Sequence, residues 1–559
     1  MSGSKKTAQA SLEAMYRVFT VPEAPESTLS RIDQNISRNL AGFLQEHIVA
    51  TETDLADMEK DFSDSQVPEK PVFVSEQAQF LIDKLVANSV HTASPSFVGH
   101  MTSALPYFML PLSKIMIALN QNLVKTETSK AFTPLERQVL GMLHRLVYQQ
   151  DSAYYRKWMH DAHHALGAMC SGGTIANLTA LWVARNQAFP AEGSFPGIHR
   201  AGLFRALRYY GFEGAAILVS RRGHYSLRKA ADVLGLGRDF LIPVDTDADN
   251  HLDPDALRAT CLDLQRQKIK VMAIVGIAGT TETGHIDPLE AIADIAREFS
   301  AHFHVDAAWG GPTLFSRKYG HLLKGIEQAD SVTFDAHKQL YTPQGAGMVL
   351  FRDPALVSAI EHHAQYIIRK GSKDLGSTTL EGSRPGMAML IHSGLRIIGR
   401  EGYEILINEG IEKARAFADL IEQTDDFELI SAPELNILTY RFCPPAVREA
   451  LAKGDARQRE RINACLNRVT RLIQKTQRER GKSFVSRTRL EPRCYDGYPC
   501  IVFRVVLANP LTTQDILTNI LQEQRAIFEE PVLEEEREAL EQLQEEILGK
   551  PEQRVAGGQ

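Results

Sequence analysis

Between residues 91 and 385, short runs of apolar, often β-branched residues alternate with longer amphipathic stretches. AAILVS (215–220), VMAIVGIAG (271–279), HFHVDAAW (302–309), SVTFDA (331–336) and GMVLF (347–351) are largely apolar along their length instead of at every second position. Strands of that kind are covered on both faces, so the pattern predicts an α/β unit on a mostly parallel sheet. Residues 1–90 read as helices joined by polar linkers, with the clearest break at 63–71 (SDSQVPEKP). Such an arm can cap the core or wrap a partner subunit. A long helical stretch opens a smaller α+β unit, 386–530, with candidate strands FELISA (427–432), NILTYRF (436–442) and PCIVFRVVL (499–507). The tail, 531–559, is acidic and carries Leu533, Leu540, Leu543 and Ile547 at helical spacing, which predicts a surface helix. The most apolar early stretch, 105–123, is interrupted by Lys114, Asn120 and Gln121 and reads as a buried helix.

Composition narrows the classes. A chain of 559 residues that is 44% hydrophobic can bury a large core and suggests two or three structural units. A net charge of -7 without a basic stripe argues against nucleic acid, and no apolar run is long enough to predict a membrane span. The N-terminus lacks the apolar core of a signal peptide, and six scattered cysteines without a CxxC pair suit a reducing compartment, so the expected location is the cytoplasm. Gly235-Leu236-Gly237 lacks the third glycine of a dinucleotide fingerprint and reads as a turn. His160, His163 and His164 with Asp161 lack HExxH spacing; they read as a polar junction, and no metal is expected.

Five other features fall into a chemical order. Ser-Gly-Gly-Thr (171–174) precedes a good helix, so Gly173 and Thr174 can present backbone N–H groups to a dianion. His224 follows the strand 215–220 and can lie flat on a ring. Thr280 follows the strand 271–278, at the end where open α/β sheets bind ligands. Asp306 closes the strand HFHV, with the small Ala308 beside it; a carboxylate there needs a charged partner. Lys338 follows the strand SVTF in Asp335-Ala336-His337-Lys338. A lysine to form an imine, an acid for a pyridine nitrogen, a helix end for phosphate and an aromatic for stacking are what pyridoxal 5′-phosphate (PLP) requires.

These residues resemble the group II PLP-dependent decarboxylases, which include the glutamate and aromatic amino-acid decarboxylases, from about residue 94 to 510. HVDAAWGG (304–311) resembles the family's pyridine-nitrogen aspartate motif, and SVTFDAHKQLYTPQGAG (331–347) its lysine motif. The resemblance implies the aspartate aminotransferase-like fold of PLP-dependent transferases (fold type I). It implies an imine on Lys338, phosphate contacts from Gly173 and Thr174, stacking by His224, a ring contact from Thr280, and His337 as phosphate ligand or proton donor. VFRVVLANPLTT (502–513) would give Arg504 the substrate carboxylate, and SPSFVGHMTSALP (94–106) makes Thr102 and Ser103 substrate-side candidates. LEGSRP (380–385), with Ser383, resembles a segment reaching the neighbouring subunit's phosphate, so a homodimer with shared sites is implied. HHAQYIIRKGSKDLGSTTLEGSRPGMAML is similar to bacterial members that convert L-aspartate to β-alanine. L-glutamate, giving GABA, differs by one methylene and is the near alternative. An aminotransferase, a carbon–carbon lyase or a cofactor-free scaffold are the other readings. In one respect the chain departs from the family. The stretch 367–381 is short and lacks the usual mobile-loop tyrosine, so the proton donor is Tyr366, Tyr341, His337 or a group from elsewhere, and is left unassigned.

Overall fold

The computed structural model describes residues 28–38, 54–364, 368 and 371–549. Tyr366 and much of the expected N-terminal arm lie outside them. The central sheet has seven strands: β1 (Gly167–Cys170), β2 (Gly214–Ser220), β3 (Leu241–Val244), β4 (Ile269–Ile277), β5 (His302–Asp306), β6 (Ser331–Asp335) and β7 (Gly347–Phe351). Their spatial order is β1-β7-β6-β5-β4-β2-β3. Pairings from β3 through β6 are parallel, whereas β7 runs against both β6 and β1, so a single strand is reversed. Every residue of β1, β2, β6 and β7 is buried, as continuous apolar runs require of a sheet covered on both faces.

The chain leaves β2 toward β3 and then returns on β2's other side to build β4, β5 and β6. Loops after β2 and β4 therefore diverge and open a crevice at the strands' carboxyl ends. The helix Gly173–Ala188 covers one face, with Ala176, Ala180, Leu181 and Val183 buried. A second, antiparallel sheet is formed by β8 (Phe427–Ser431), β9 (Ile437–Phe442), β10 (Ser486–Leu490) and β11 (Cys500–Val506), in the order β8-β9-β11-β10. It packs beneath the helix Ala456–Arg480. The acidic helix Glu534–Leu548 lies against that helix with Leu540 and Leu543 buried.

One expectation is overturned. Residues 109–119 form a helix, but Ile115, Ile117 and Leu119 are at least half exposed and only Met109 is buried. The helix is apolar but for Ser113 and Lys114, and the described residues leave one of its sides uncovered. No helix of the described residues is long and apolar enough to cross a membrane.

The fold also buries histidines that must stay neutral. His144, fully buried, donates from Nε2 to the Phe351 carbonyl at 3.0 Å and accepts from Tyr155 Oη at 2.9 Å. Burial lowers its pKa to about 4. Burial lowers His302 and His304 as well. The unfolded chain, whose histidines titrate near 6.5, binds more protons than the native state below that pH. Stability is therefore expected to fall as pH drops from about 6.5 toward 4, by about 1.4 kcal/mol per pH unit for each such group. Urea midpoints between pH 7 and 5 should decline less steeply in His144→Gln than in the wild type; parallel slopes would reject this account.

Candidate active site

A cavity of about 310 Å³ opens at the carboxyl ends of the parallel strands. Its walls come from five connections: Ser171–Asn177 after β1, Arg222 and His224 after β2, Gly279 and Thr281 after β4, Asp306–Trp309 after β5, and Asp335–Lys338 after β6. Lys338 reaches into it with Nζ 3.1 Å from Asp335 Oδ2. Asp335 is almost wholly buried, and its Oδ1 has no hydrogen-bond partner.

Asp306 is buried and forms no ion pair among the described residues. Its Oδ2 accepts from Asn177 Nδ2 at 2.8 Å and its Oδ1 from the Ala308 amide at 3.2 Å. Behind it runs a hydrogen-bonded chain. Asn177 gives its Nδ2 to Asp306, so its Oδ1 accepts from His304 Nε2 (3.1 Å); His304 Nδ1 lies 2.8 Å from Ser331 Oγ and 3.1 Å from the Ser331 carbonyl, and Ser331 Oγ lies 2.7 Å from His302 Nε2. Asn177 also donates to Ser226 Oγ (3.1 Å), which lies 2.8 Å from His224 Nδ1. His224 caps the helix Tyr225–Val233 by accepting the Ser226 amide, so its Nδ1 is an acceptor and its proton sits on Nε2. Burial lowers its pKa, against the pull of the Asp306 carboxylate.

The helix Gly173–Ala188 starts at the cavity without a side-chain cap, leaving its first amides for a ligand. There is no room for side chains there: a Cβ on Gly173 would lie 2.8 Å from Asp335 Oδ2 and 3.3 Å from Ala308 Cβ. His337 donates from Nδ1 to the Ala346 carbonyl (2.9 Å), which leaves Nε2 unprotonated in the neutral ring. An uncapped helix end for a phosphate, a buried carboxylate for a pyridinium and a lysine beside them fit PLP.

Not every expected residue faces the cavity. Thr280 is fully buried and its hydroxyl pairs with Thr283 Oγ1 at 2.8 Å; Thr281 stands at the wall instead. Ile277, Gly279 and Thr281 line the wall two residues apart, so Thr280 falls on the opposite side of the chain. Thr102 bonds His100 Nδ1 (3.1 Å), and Ser103 donates to the Ala508 carbonyl (3.4 Å); neither lines the cavity. Ser383 is exposed and accepts from Asn122 Nδ2 (2.9 Å), outside the cavity of its own chain. Arg504 is buried, donating from Nε to the Thr281 carbonyl (2.6 Å) and from Nη1 to that of Gly99 (3.2 Å). Its Nη2 has no partner. His100 lies within the fields of both Arg504 and Lys338, which with burial lower its pKa. His160, His163 and His164 stay apart from the cavity; Asp161 binds the His163 amide (2.8 Å) and His164 Nδ1 (2.7 Å), as a polar junction would.

Sequence reasoning missed Asn177, Arg222, Trp309 and Thr281. Asn177 falls one helical turn after Gly173, on the same face, and that spacing is the signal that could have found it. Arg222, one residue from Gly223-His224, pairs with Glu282 (3.0 Å) and Glu491 (3.4 Å).

Residues 57–443 match the pyridoxal-dependent decarboxylase conserved domain. An aspartate 1-decarboxylase from Aliivibrio fischeri is 63% identical over 527 residues, covering 94% of this chain and 96% of that protein. A cysteine sulfinic acid decarboxylase from Mus musculus is 29% identical, covering 76% of this chain and 80% of its own. Among solved structures, mouse CSAD superposes with a TM-score of 0.75 at 25% identity, over 89% of this chain and 98% of that one. The fold is thus the fold type I architecture of PLP-dependent enzymes, and this chain belongs to the family of pyridoxal-dependent decarboxylases.

Proposed function

We propose that the chain removes the α-carboxylate of L-aspartate as CO₂ and releases β-alanine. The observation that carries this reading is the 63% identity, along nearly the whole of both chains, to an aspartate 1-decarboxylase. PLP, when bound, supplies the electron sink for cleavage of the C–CO₂ bond. Lys338 is the amine that holds it, and the open amides of Gly173 and Thr174 hold its phosphate. Asp306 would keep its ring nitrogen protonated, and His224 and Ala308 at the cavity wall would contact the ring. Arg504, with Nη2 free, is the group for a substrate carboxylate.

For the proton returned to Cα, Tyr341 is a poor source. Its hydroxyl is buried and donates to the Ala508 carbonyl at 2.9 Å, and burial raises its pKa. His337 stands at the cavity wall, and to take that role its Nε2 must first accept a proton, because the Nδ1 proton is held by the Ala346 carbonyl.

The chain works as a homodimer in the cytoplasm. Support comes from the exposed Ile115, Ile117 and Leu119 and from Ser383 on the surface, together with five buried, unbonded cysteines. In units, 1–90 is an arm, 91–385 the cofactor-binding unit, 386–530 the smaller α+β unit and 531–559 the tail.

The test is an amino-acid panel with the PLP-loaded protein, measuring CO₂ and identifying the amine. β-Alanine from aspartate is expected; GABA from glutamate at higher kcat/KM would overturn the substrate. Asn177→Ala should weaken PLP binding roughly 10–100-fold, since it strips a hydrogen bond from the Asp306 carboxylate and leaves His304 Nε2 only its longer contact to Thr333 Oγ1 (3.4 Å). Titration of apoprotein with PLP measures it; unchanged affinity would remove Asn177 from the positioning of Asp306.

A further inference from the structure

Outside the cavity, three segments bring metal-ligating side chains together. His251 lies in the loop after β3, His285 at the end of the hairpin after β4, and Glu434 in the turn between β8 and β9. One ligand atom from each falls within 4.8 Å of the other two. Asp247 Oδ2 sits 3.1 Å from His251 Nδ1, while Asp247 Oδ1 is held by the Asp249 and His251 amides at 2.9 Å each. A carboxylate on the far nitrogen fixes an imidazole with its other nitrogen ready to ligate. Glu434 is oriented too: its Oε2 accepts the Ile286 amide at 2.8 Å, leaving Oε1 toward His251 Nε2 at 2.6 Å. His285 is buried, and its Nδ1 has no hydrogen-bond partner.

We propose that His251, His285 and Glu434 form a binding site for a divalent transition metal of the zinc class. Two imidazoles and one carboxylate suit Zn²⁺, Co²⁺ or Ni²⁺ better than Mg²⁺ or Ca²⁺, which prefer all-oxygen shells. The ion displaces the proton shared by His251 Nε2 and Glu434 Oε1. It also spreads those atoms to about 3.3 Å, the edge of a tetrahedron with bonds of roughly 2.05 Å. His251 and Glu434 are partly exposed, so a water can complete the shell. The bound ion would join the second sheet to the hairpin of the active-site wall, because the His285 carbonyl accepts the Gly279 and Thr280 amides at 3.1 and 2.9 Å.

The test uses untagged, PLP-loaded full-length protein freed of metals by chelation. Titration with Zn²⁺ alone should give one ion per chain and a higher unfolding temperature, and Co²⁺ should give visible d–d absorption. His285→Gln and Glu434→Gln should each weaken Zn²⁺ binding at least about 100-fold, and Asp247→Asn about tenfold. Circular dichroism checks each fold, and two separate ligand variants guard against one failing to fold. His163→Ala with His164→Ala should leave binding unchanged. Absence of stoichiometric binding, retention in both ligand variants, or loss only with His163 and His164 would overturn the site. Because the readout is metal occupancy, it stands apart from the identity of the substrate.

Discussion

Lys338→Ala is expected to lower kcat by on the order of 10⁴-fold or more. Among the described residues Lys338 is the only lysine in the cavity wall. Its Nζ stands 3.1 Å from Asp335 Oδ2, and that carboxylate, nearly fully buried, aims it. Two roles can be separated. Lys338→Arg keeps a cation beside Asp335 but cannot form the covalent link, so it should be as inactive as alanine. CO₂ release at saturating substrate gives the rate. Borohydride reduction followed by peptide mass mapping locates the link, and the near-visible band of the reconstituted wild type should be absent from both variants. A labelled peptide lacking Lys338, or turnover retained in the alanine variant, would falsify the assignment.

Asp306→Asn should lower kcat by roughly 10²–10⁴-fold while leaving the fold intact. The substitution keeps the volume and removes the charge. It also disturbs a donor chain that expects an acceptor: Asn177 Nδ2 donates to Asp306 Oδ2, and an amide nitrogen placed there would meet donor with donor. Because Asp306 has no ion pair among the described residues, its charge is available to a cationic ring nitrogen. The cofactor's absorbance should therefore vary with pH in the variant over a range where the wild type stays constant. An unaltered pH profile with wild-type kcat would show that another group holds that nitrogen.

Much of this site was legible because of how parallel sheets read in sequence. Strands buried on both faces are unbroken apolar runs, so the residue where polarity returns marks the strand end, where Asp306, His224 and the Asp335–Lys338 loop stand. Less legible strands lack that contrast. β1 is the four residues GAMC, β3 carries Pro243 at the sheet edge, and β10 alternates arginines with other residues as an edge strand does. Thr280 was misplaced because the alternation puts Ile277, Gly279 and Thr281 on the cavity side and turns Thr280 away from it. Asn177 was passed over because, in sequence, a helical asparagine looks like any surface position; its meaning lies in His304 and Asp306, more than a hundred residues away. The exposed helix 109–119 shows the remaining limit, since apolar periodicity says that a face wants covering without saying by which chain.

The reversed strand β7 sets an order of assembly. With β6 it makes a local hairpin, and the amides of Ala336 and His337 both donate to the Ala346 carbonyl, so the lysine loop can form from neighbouring residues. Its other edge is different: Gly167 of β1 lies opposite Leu350, on the order of 180 residues away, a closure whose entropy cost makes it slow. The phosphate-facing helix end hangs from β1. During refolding the amine would be in place before the anion cradle, so capture of the cofactor is a late event and reports that the last long-range pairing of the sheet has closed.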